Sequence, residues 1–110
     1  MTNDLDVLEL TKLYEEHLPN KINEILSLWN TTKMEWNEAI FENLHLKIHS
    51  LCGSSGLYGY QQINQITNEL QIFFLSLKEP KRILVEENQK KVEKLLEELN
   101  EMKNQANFGG

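Results

Sequence analysis

The chain has 110 residues, with 11 basic and 17 acidic side chains that give a net charge of −6. This length fits a single domain over residues 1–110 that buries its own core, and we expect a monomer. The acidic balance excludes a typical nucleic-acid binder, because phosphate binding needs a basic stripe. Cys52 is the only cysteine, so an intrachain disulfide is excluded and a reducing, cytoplasmic location fits.

Hydrophobic runs are short throughout the sequence. None approaches the roughly 20 apolar residues that span a bilayer. The first ten residues, MTNDLDVLEL, lack the basic and apolar regions of a signal peptide. We therefore expect no membrane association, and a partner that is a protein or a small molecule.

The first two predicted helices carry apolar residues at helical spacing over residues 10–29 and 36–51. Pro19 lies inside the first segment and predicts a helix that is kinked or split there, because proline lacks a donor and crowds the preceding turn. Thr32 and Glu35 have the spacing of a capping box, which predicts that the second helix begins near them.

The last two predicted helices cover residues 63–77 and 85–102, again with helical apolar spacing. Glu79 and Pro80 separate them, and proline suits a first helical turn. No segment alternates as a strand would, and short links make consecutive helices antiparallel neighbours. The sequence therefore predicts an all-α, up-down-up-down four-helix bundle, with residues 106–110 as a frayed tail.

The link between the second and third helices contains three of the five glycines of the chain, in the stretch HSLCGSSGLYG. Each glycine destabilises a helix by about 1 kcal/mol relative to alanine. His49, at the start of the stretch, follows the core position Ile48 and therefore points about 100° away from the core. Its neighbours on the helix surface are His45, Leu46, Cys52 and Gly53, listed here in chain order.

Glycine at position 53 leaves the imidazole of His49 uncovered. Helical side chains lean toward the N-terminus of their helix, so a side chain at position 53 would lie over the ring. We expect Gly56 to extend this clearing by one turn, and Gly59 to end the helix or allow the turn. A partner, or a group added to the ring nitrogen, would then have room beside His49.

A turn near residues 56–60 would bring Gln71 level with His49, because Gln71 follows it by 22 residues. The amide oxygen of Gln71 could then accept a hydrogen bond from Nδ1–H of the ring. This would leave Nε2 free as a nucleophile. The alternative is that Gln71 is simply a solvated surface residue.

The stretch resembles the signature of histidine-containing phosphotransfer (HPt) domains, roughly H-x-L-K-G-S-x-x-x-x-G. The matching residues are His49, Leu51, Gly53, Ser54 and Gly59. The first helix is also similar, at looser spacing, through Glu16, Leu18, Pro19 and Leu28. The resemblance extends over residues 5–103, because the family is an antiparallel four-helix bundle with this histidine on its second helix.

The resemblance implies that His49 carries a phosphoryl group on Nε2. It implies transfer between aspartates of response-regulator receiver domains, or from a sensor or hybrid histidine kinase. Such domains are phosphocarriers without catalytic activity of their own, and the receiver supplies Mg²⁺, so no cofactor is expected here. It also implies a polar residue that orients the ring, as expected for Gln71. Helical spacing and the glycine clearing predict a docking surface made of His45, Leu46, Cys52, Gly53 and Gly56.

One residue departs from the family pattern. Cys52 stands where the family usually has a lysine, so a phosphohistidine would be less well neutralised. Lys47 cannot substitute, because two residues along a helix is the opposite side. Three further basic residues, Lys78, Lys81 and Arg82, lie later in the chain.

Other classes of function remain open at the sequence level. His45, His49 and Cys52 share one helix face and could bind zinc with His17 or Glu42 as a fourth ligand. A thiol enzyme built on Cys52 and His49 would lack an evident pocket and oxyanion donor.

The stronger alternative is an HPt-like docking module that binds a receiver or kinase without being phosphorylated, and Cys52 favours it. A kinase dimerisation domain usually has an acidic residue after its histidine, where this chain has Ser50. The glycine spacing fits neither a dinucleotide-binding motif nor a P-loop.

Overall fold

The helical periodicity of the sequence is present in the computed structural model, which describes residues 4–107 and the side chains of residues 6–103. Four α-helices form: α1 (Asp4–Met34), α2 (Glu38–Leu57), α3 (Gln61–Ser76) and α4 (Glu86–Asn107). A short 3-10 helix, Pro80–Leu84, begins with the proline in the link between α3 and α4. The described residues contain no strand, so the predicted all-α class with four helices is confirmed.

The core is formed by one apolar stripe from each helix. α1 and α3 each pack against both α2 and α4, and the molecule measures 48 × 27 × 20 Å. Each large apolar side chain buried in this way contributes about 1.5–3 kcal/mol. The buried hydrophobic residues are Tyr14, Leu18, Ile22, Ile25, Trp29, Phe41, Leu44, Ile48, Leu51, Ile63, Leu70, Phe74, Ile83, Val92, Leu95, Leu96 and Leu99.

The start of α2 differs from the sequence prediction. Its N-cap is Asn37, whose Oδ1 accepts a hydrogen bond from the backbone N–H of Ile40 at 3.2 Å. Thr32 belongs to the end of α1, where it is fully buried and its hydroxyl donates to the carbonyl of Leu28 at 2.8 Å. The predicted capping box was therefore wrong. A threonine in a helix can satisfy its hydroxyl on the preceding turn while its methyl group packs, and spacing alone does not reveal that choice.

α1 runs without interruption through Pro19. A split at this residue is therefore ruled out, while the kink stays a prediction. Of the predicted frayed tail, residues 106 and 107 are the last residues of α4, and residues 108–110 lie outside the described part of the chain. Within the described residues, none of the helices combines the length and apolar character needed to cross a membrane.

Candidate functional site

The imidazole of His49 lies exposed on α2 and makes one hydrogen bond to α3. Its Nδ1 is 2.6 Å from Oε1 of Gln71. An amide oxygen can only accept, so this contact is a hydrogen bond when Nδ1 carries the proton. In the neutral ring Nε2 then keeps its lone pair, which is the state that a nucleophile requires.

Buried neighbours hold both partners of this hydrogen bond in place. Ile48 and Leu51 anchor α2 on either side of His49, and the fully buried Leu70 anchors α3 beside Gln71. These side chains are packed in the core, so the backbone that carries the ring and the amide is fixed. The ring is therefore presented on a rigid surface instead of a loop.

The turn between α2 and α3 depends on Gly59, which has a φ of +85°. Only glycine adopts this conformation without strain, so the residue ends α2 as the sequence predicts. The backbone N–H of Tyr60 donates to the carbonyl of Ser55 at 2.8 Å and closes the turn. This tight turn sets His49 level with Gln71, 22 residues later.

Gly53 and Gly56 face different surroundings. A Cβ atom built at Gly53 would meet no atom within 4 Å, so the space beside it is open. A Cβ at Gly56 would lie 3.0 Å from Nδ2 of Asn64 on α3. Gly56 therefore contributes to the contact between α2 and α3 and does not extend the clearing, contrary to the expectation from its spacing.

His45 and Cys52 also turn toward α3. The half-buried ring of His45 packs edge-on against Phe74, with ring centroids 5.5 Å apart. Burial, and to a lesser extent the charge of His49, lower the pKa of His45. The thiol of Cys52 is half-buried and lies 3.8 Å from the backbone carbonyl of Asn64, to which it donates.

The five residues predicted to form a docking surface thus divide into two groups. Leu46, which is 62% exposed, and Gly53 lie open beside His49. The other three, His45, Cys52 and Gly56, lie along the α2–α3 contact. The open part of the surface is therefore smaller than the sequence predicts.

The arrangement does not favour the zinc site considered as an alternative. Among the described residues, no group of three His, Cys, Asp or Glu side chains is placed to hold a metal ion. His17 lines a cleft between α1 and α2 together with Lys47. Lys47 pairs with Glu24 of α1, at 3.3 Å between Nζ and Oε2, which agrees with its expected place on the side away from the site.

Two contacts at this site have no signal in the sequence. Ser54, one of the residues that resemble the HPt signature, has its hydroxyl 2.9 Å from that of Tyr14 on α1. Tyr14 also stacks on Tyr58 with ring centroids 4.3 Å apart, which fastens α1 to the end of α2. On the opposite side, Asn64 donates from Nδ2 to the carbonyl of Cys52 at 2.8 Å. Both depend on neighbours from another helix, so spacing within one helix cannot predict them.

Comparison with protein-family models, curated proteins and solved structures gave no match to this chain. The features that bear on function are therefore the geometry around His49 and the motif in the sequence.

Proposed function

We propose that this chain is a histidine phosphotransfer protein of a two-component phosphorelay that carries a phosphoryl group on Nε2 of His49. The observation that supports this proposal most directly is the exposed imidazole whose Nδ1 lies 2.6 Å from Oε1 of Gln71. Open space at Gly53 and the resemblance of residues 49–59 to the HPt signature add to it. The proposed partners are response-regulator receiver domains and a sensor or hybrid histidine kinase.

The proposed reaction needs one bond to form and one to break. The Nε2 lone pair of His49 attacks the phosphorus of a receiver's aspartyl phosphate, and the bond from phosphorus to the carboxylate oxygen breaks. The aspartate leaves as a carboxylate with the electron pair of that bond. The Nδ1 proton stays in its hydrogen bond to Gln71, so no separate acid or base is required. Transfer to a second aspartate reverses these changes, and phosphoryl transfer of this kind depends mainly on positioning and charge neutralisation.

The proposal includes the finer topology that such a carrier would have. We propose that the four helices run up, down, up and down. Contacts between helices support this, because residue numbers fall along one helix as they rise along its neighbour. Between α1 and α2 the pairs are Tyr14–Ser54 and Glu24–Lys47. Between α2 and α3 they are His49–Gln71 and Cys52–Asn64. Between α1 and α4 they are Asn23–Lys103 and Trp29–Glu93.

The alternative function is a docking module that binds a receiver or kinase without being phosphorylated. Cys52, in the place of the usual lysine, favours it. In addition, Lys47 is paired with Glu24 on the α1 side, so it is not available to neutralise a phosphoryl group on His49. The two functions differ in whether His49 becomes covalently modified.

A labelling experiment tests the proposal. The chain is incubated with a panel of receivers carrying labelled aspartyl phosphate, with and without Mg²⁺. We expect acid-labile, base-stable label on the wild type and on His45→Ala, and none on His49→Ala with its helical content retained. Label on His49→Ala would show that the phosphoacceptor was assigned wrongly. Receivers and kinases that bind the chain but never label it would favour the docking module.

A further inference from the structure

We propose that Asn64 is a positioning residue for His49. Its side chain fastens α3 to α2 one turn from the imidazole and thereby keeps Nδ1 of His49 in reach of Gln71. The consequence for phosphotransfer rests on the function proposed above. The effect on the ring itself does not, because it concerns only the hydrogen bond between His49 and Gln71.

Asn64 contacts Cys52 through both its side chain and its backbone. Its Nδ2 donates to the carbonyl of Cys52 at 2.8 Å and lies 3.6 Å from the sulfur. In return, the thiol of Cys52 donates weakly to the carbonyl of Asn64 at 3.8 Å. The hydroxyl of the buried Thr67 donates to the carbonyl of Ile63 at 2.7 Å and lies 3.1 Å from that of Asn64, so it shares its proton between the two.

Gly56 makes room for this contact. A Cβ atom at position 56 would lie 3.0 Å from Nδ2 and 3.6 Å from Cγ of Asn64. This is tighter than ordinary packing, so a side chain there would make the amide of Asn64 shift by a few tenths of an ångström. Gly56 is the next-to-last residue of α2, where only part of the interior glycine penalty of about 1 kcal/mol relative to alanine applies. The approach of Asn64 gives a physical reason for glycine at this position.

The pair of His49 and Gln71 lies between two contacts that join the same helices. On the side of the turn, Cys52 meets Asn64 about 4.5 Å further along α2, given a rise of about 1.5 Å per residue. On the other side, His45 packs against Phe74. The contact between Cys52 and Asn64 is a hydrogen bond with a defined direction, whereas the packing of His45 permits sliding. Asn64 therefore adds a directional contact to the apolar packing that holds α3 beside the ring.

The hydrogen bond of His49 needs such support because its ring is exposed and water competes for Nδ1. A displacement of more than about 0.6 Å would lengthen this bond from 2.6 Å beyond 3.2 Å, where N–H···O hydrogen bonds weaken. A shift of α3 would free the ring to take the other tautomer. The proton would then lie on Nε2, and the lone pair that the nucleophile needs would be lost.

Nitrogen-15 NMR of the full chain with labelled histidine tests this inference without any partner. Asn64→Ala removes the side chain beyond Cβ, and Asn64→Asp keeps its shape but removes the donor. Gly56→Ala displaces the amide while favouring the helix, so it separates the effect from loss of stability. For all three we expect the ratio of Nδ1–H to Nε2–H tautomers of His49 to fall, by about fivefold where the donor is lost. The rate of labelling by phosphoramidate, a small phosphoryl donor, should fall in parallel.

Tyr14→Phe is the matched control. It removes the hydrogen bond to Ser54 on the opposite side of α2 and leaves the contact with α3 intact. We expect it to lower stability without changing the tautomer ratio. The inference is overturned if the Asn64 and Gly56 variants keep the wild-type ratio, or if Tyr14→Phe shifts it equally. A shifted ratio in a chain that no receiver or kinase labels would uphold the role of Asn64 and reject the proposed function.

Discussion

Three glycines in seven residues have three different physical reasons. Gly53 faces open space, Gly56 faces the side chain of Asn64, and Gly59 has a positive φ. Only the first borders the free side of the imidazole of His49. Substitutions at these positions should therefore have different effects, although the residues are the same and close in sequence.

Gly53→Gln should produce a stable protein that transfers poorly. The new side chain would lean back over the ring, while helix propensity should raise the free energy of unfolding by up to roughly 1 kcal/mol. We expect transfer from a phosphorylated receiver to fall by roughly a hundredfold, the effect of misplacing a reacting group by about 1 Å. Transfer kinetics and thermal unfolding measure both effects. The control is Ser50→Gln, which changes another exposed residue of α2. Full activity of Gly53→Gln would show that the clearing is not needed.

Cys52→Lys would introduce the lysine that HPt domains usually have at this place in their signature. A lysine ammonium one helical turn from a phosphoryl group on His49 contributes at most about 1 kcal/mol after screening. We therefore expect a phosphohistidine lifetime no more than several-fold longer. The bond from Asn64 to the carbonyl at position 52 should survive, because that acceptor belongs to the backbone. Phosphohistidine decay at low and high salt is the measurement, and the gain should shrink at high salt. Equal lifetimes at low salt would contradict the neutralising role given to position 52.

His45 should make stability depend on pH. Burial against α3, and to a lesser extent the charge of His49, lower its pKa below the ordinary value of 6.5. The unfolded chain therefore binds a proton at higher pH than the folded protein does. Its contribution to stability is fully present above the ordinary pKa and is lost as the pH falls from there through the lowered value. We expect the pH slope of the free energy of unfolding to flatten in His45→Gln, and an unchanged slope would contradict this assignment.

At the scale of whole helices, side-chain hydrogen bonds fix how α1 meets its two neighbours. Tyr14 joins it to α2 through Ser54, and Trp29 joins it to α4 by donating from Nε1 to Oε2 of Glu93 at 3.2 Å. Lys33 pairs with the same carboxylate. These polar contacts flank the apolar stripe of α1 and give the packed helices a definite register, which apolar packing alone specifies less strictly.

Glu93→Gln should weaken the contact between α1 and α4 in a pH-dependent way. The hydrogen bond from Lys33, helped by that from Trp29, lowers the pKa of Glu93 below its ordinary value of 4.5. The contribution of Glu93 to the free energy of unfolding is present above its ordinary pKa of 4.5. It is lost as the pH falls through the lowered pKa. At neutral pH we expect the variant to lose about 0.2–1 kcal/mol, as is usual for a partly exposed pair. Urea unfolding followed by tryptophan fluorescence measures this loss, and no difference at neutral pH would show that the pair is not stabilising.

For the molecule as a whole, sequence periodicity predicted the number and type of the helices but not all of their ends. Most of the residues in the four predicted apolar stripes are buried, because burial of a continuous stripe dominates the folding free energy, but Leu10, Leu13 and Val85 are exposed. The end of α1 was missed, because Thr32 packs in the core and Asn37 caps α2 instead. Each of these residues is compatible with several local structures, and neighbours from other helices decide between them.

The sequence by itself determined an all-helical chain with an exposed histidine followed by glycines, and it indicated that Gln71 would lie level with His49. These inferences follow from fixed helical geometry and from a short turn, both of which are local properties. Only the tertiary structure decided that Gln71 reaches Nδ1 of His49, and that Cys52 and Gly56 face Asn64 across the α2–α3 contact. These contacts depend on the rotation and register of one helix against another. That packing is set by the sum of many side chains from all four helices, and no single motif encodes it.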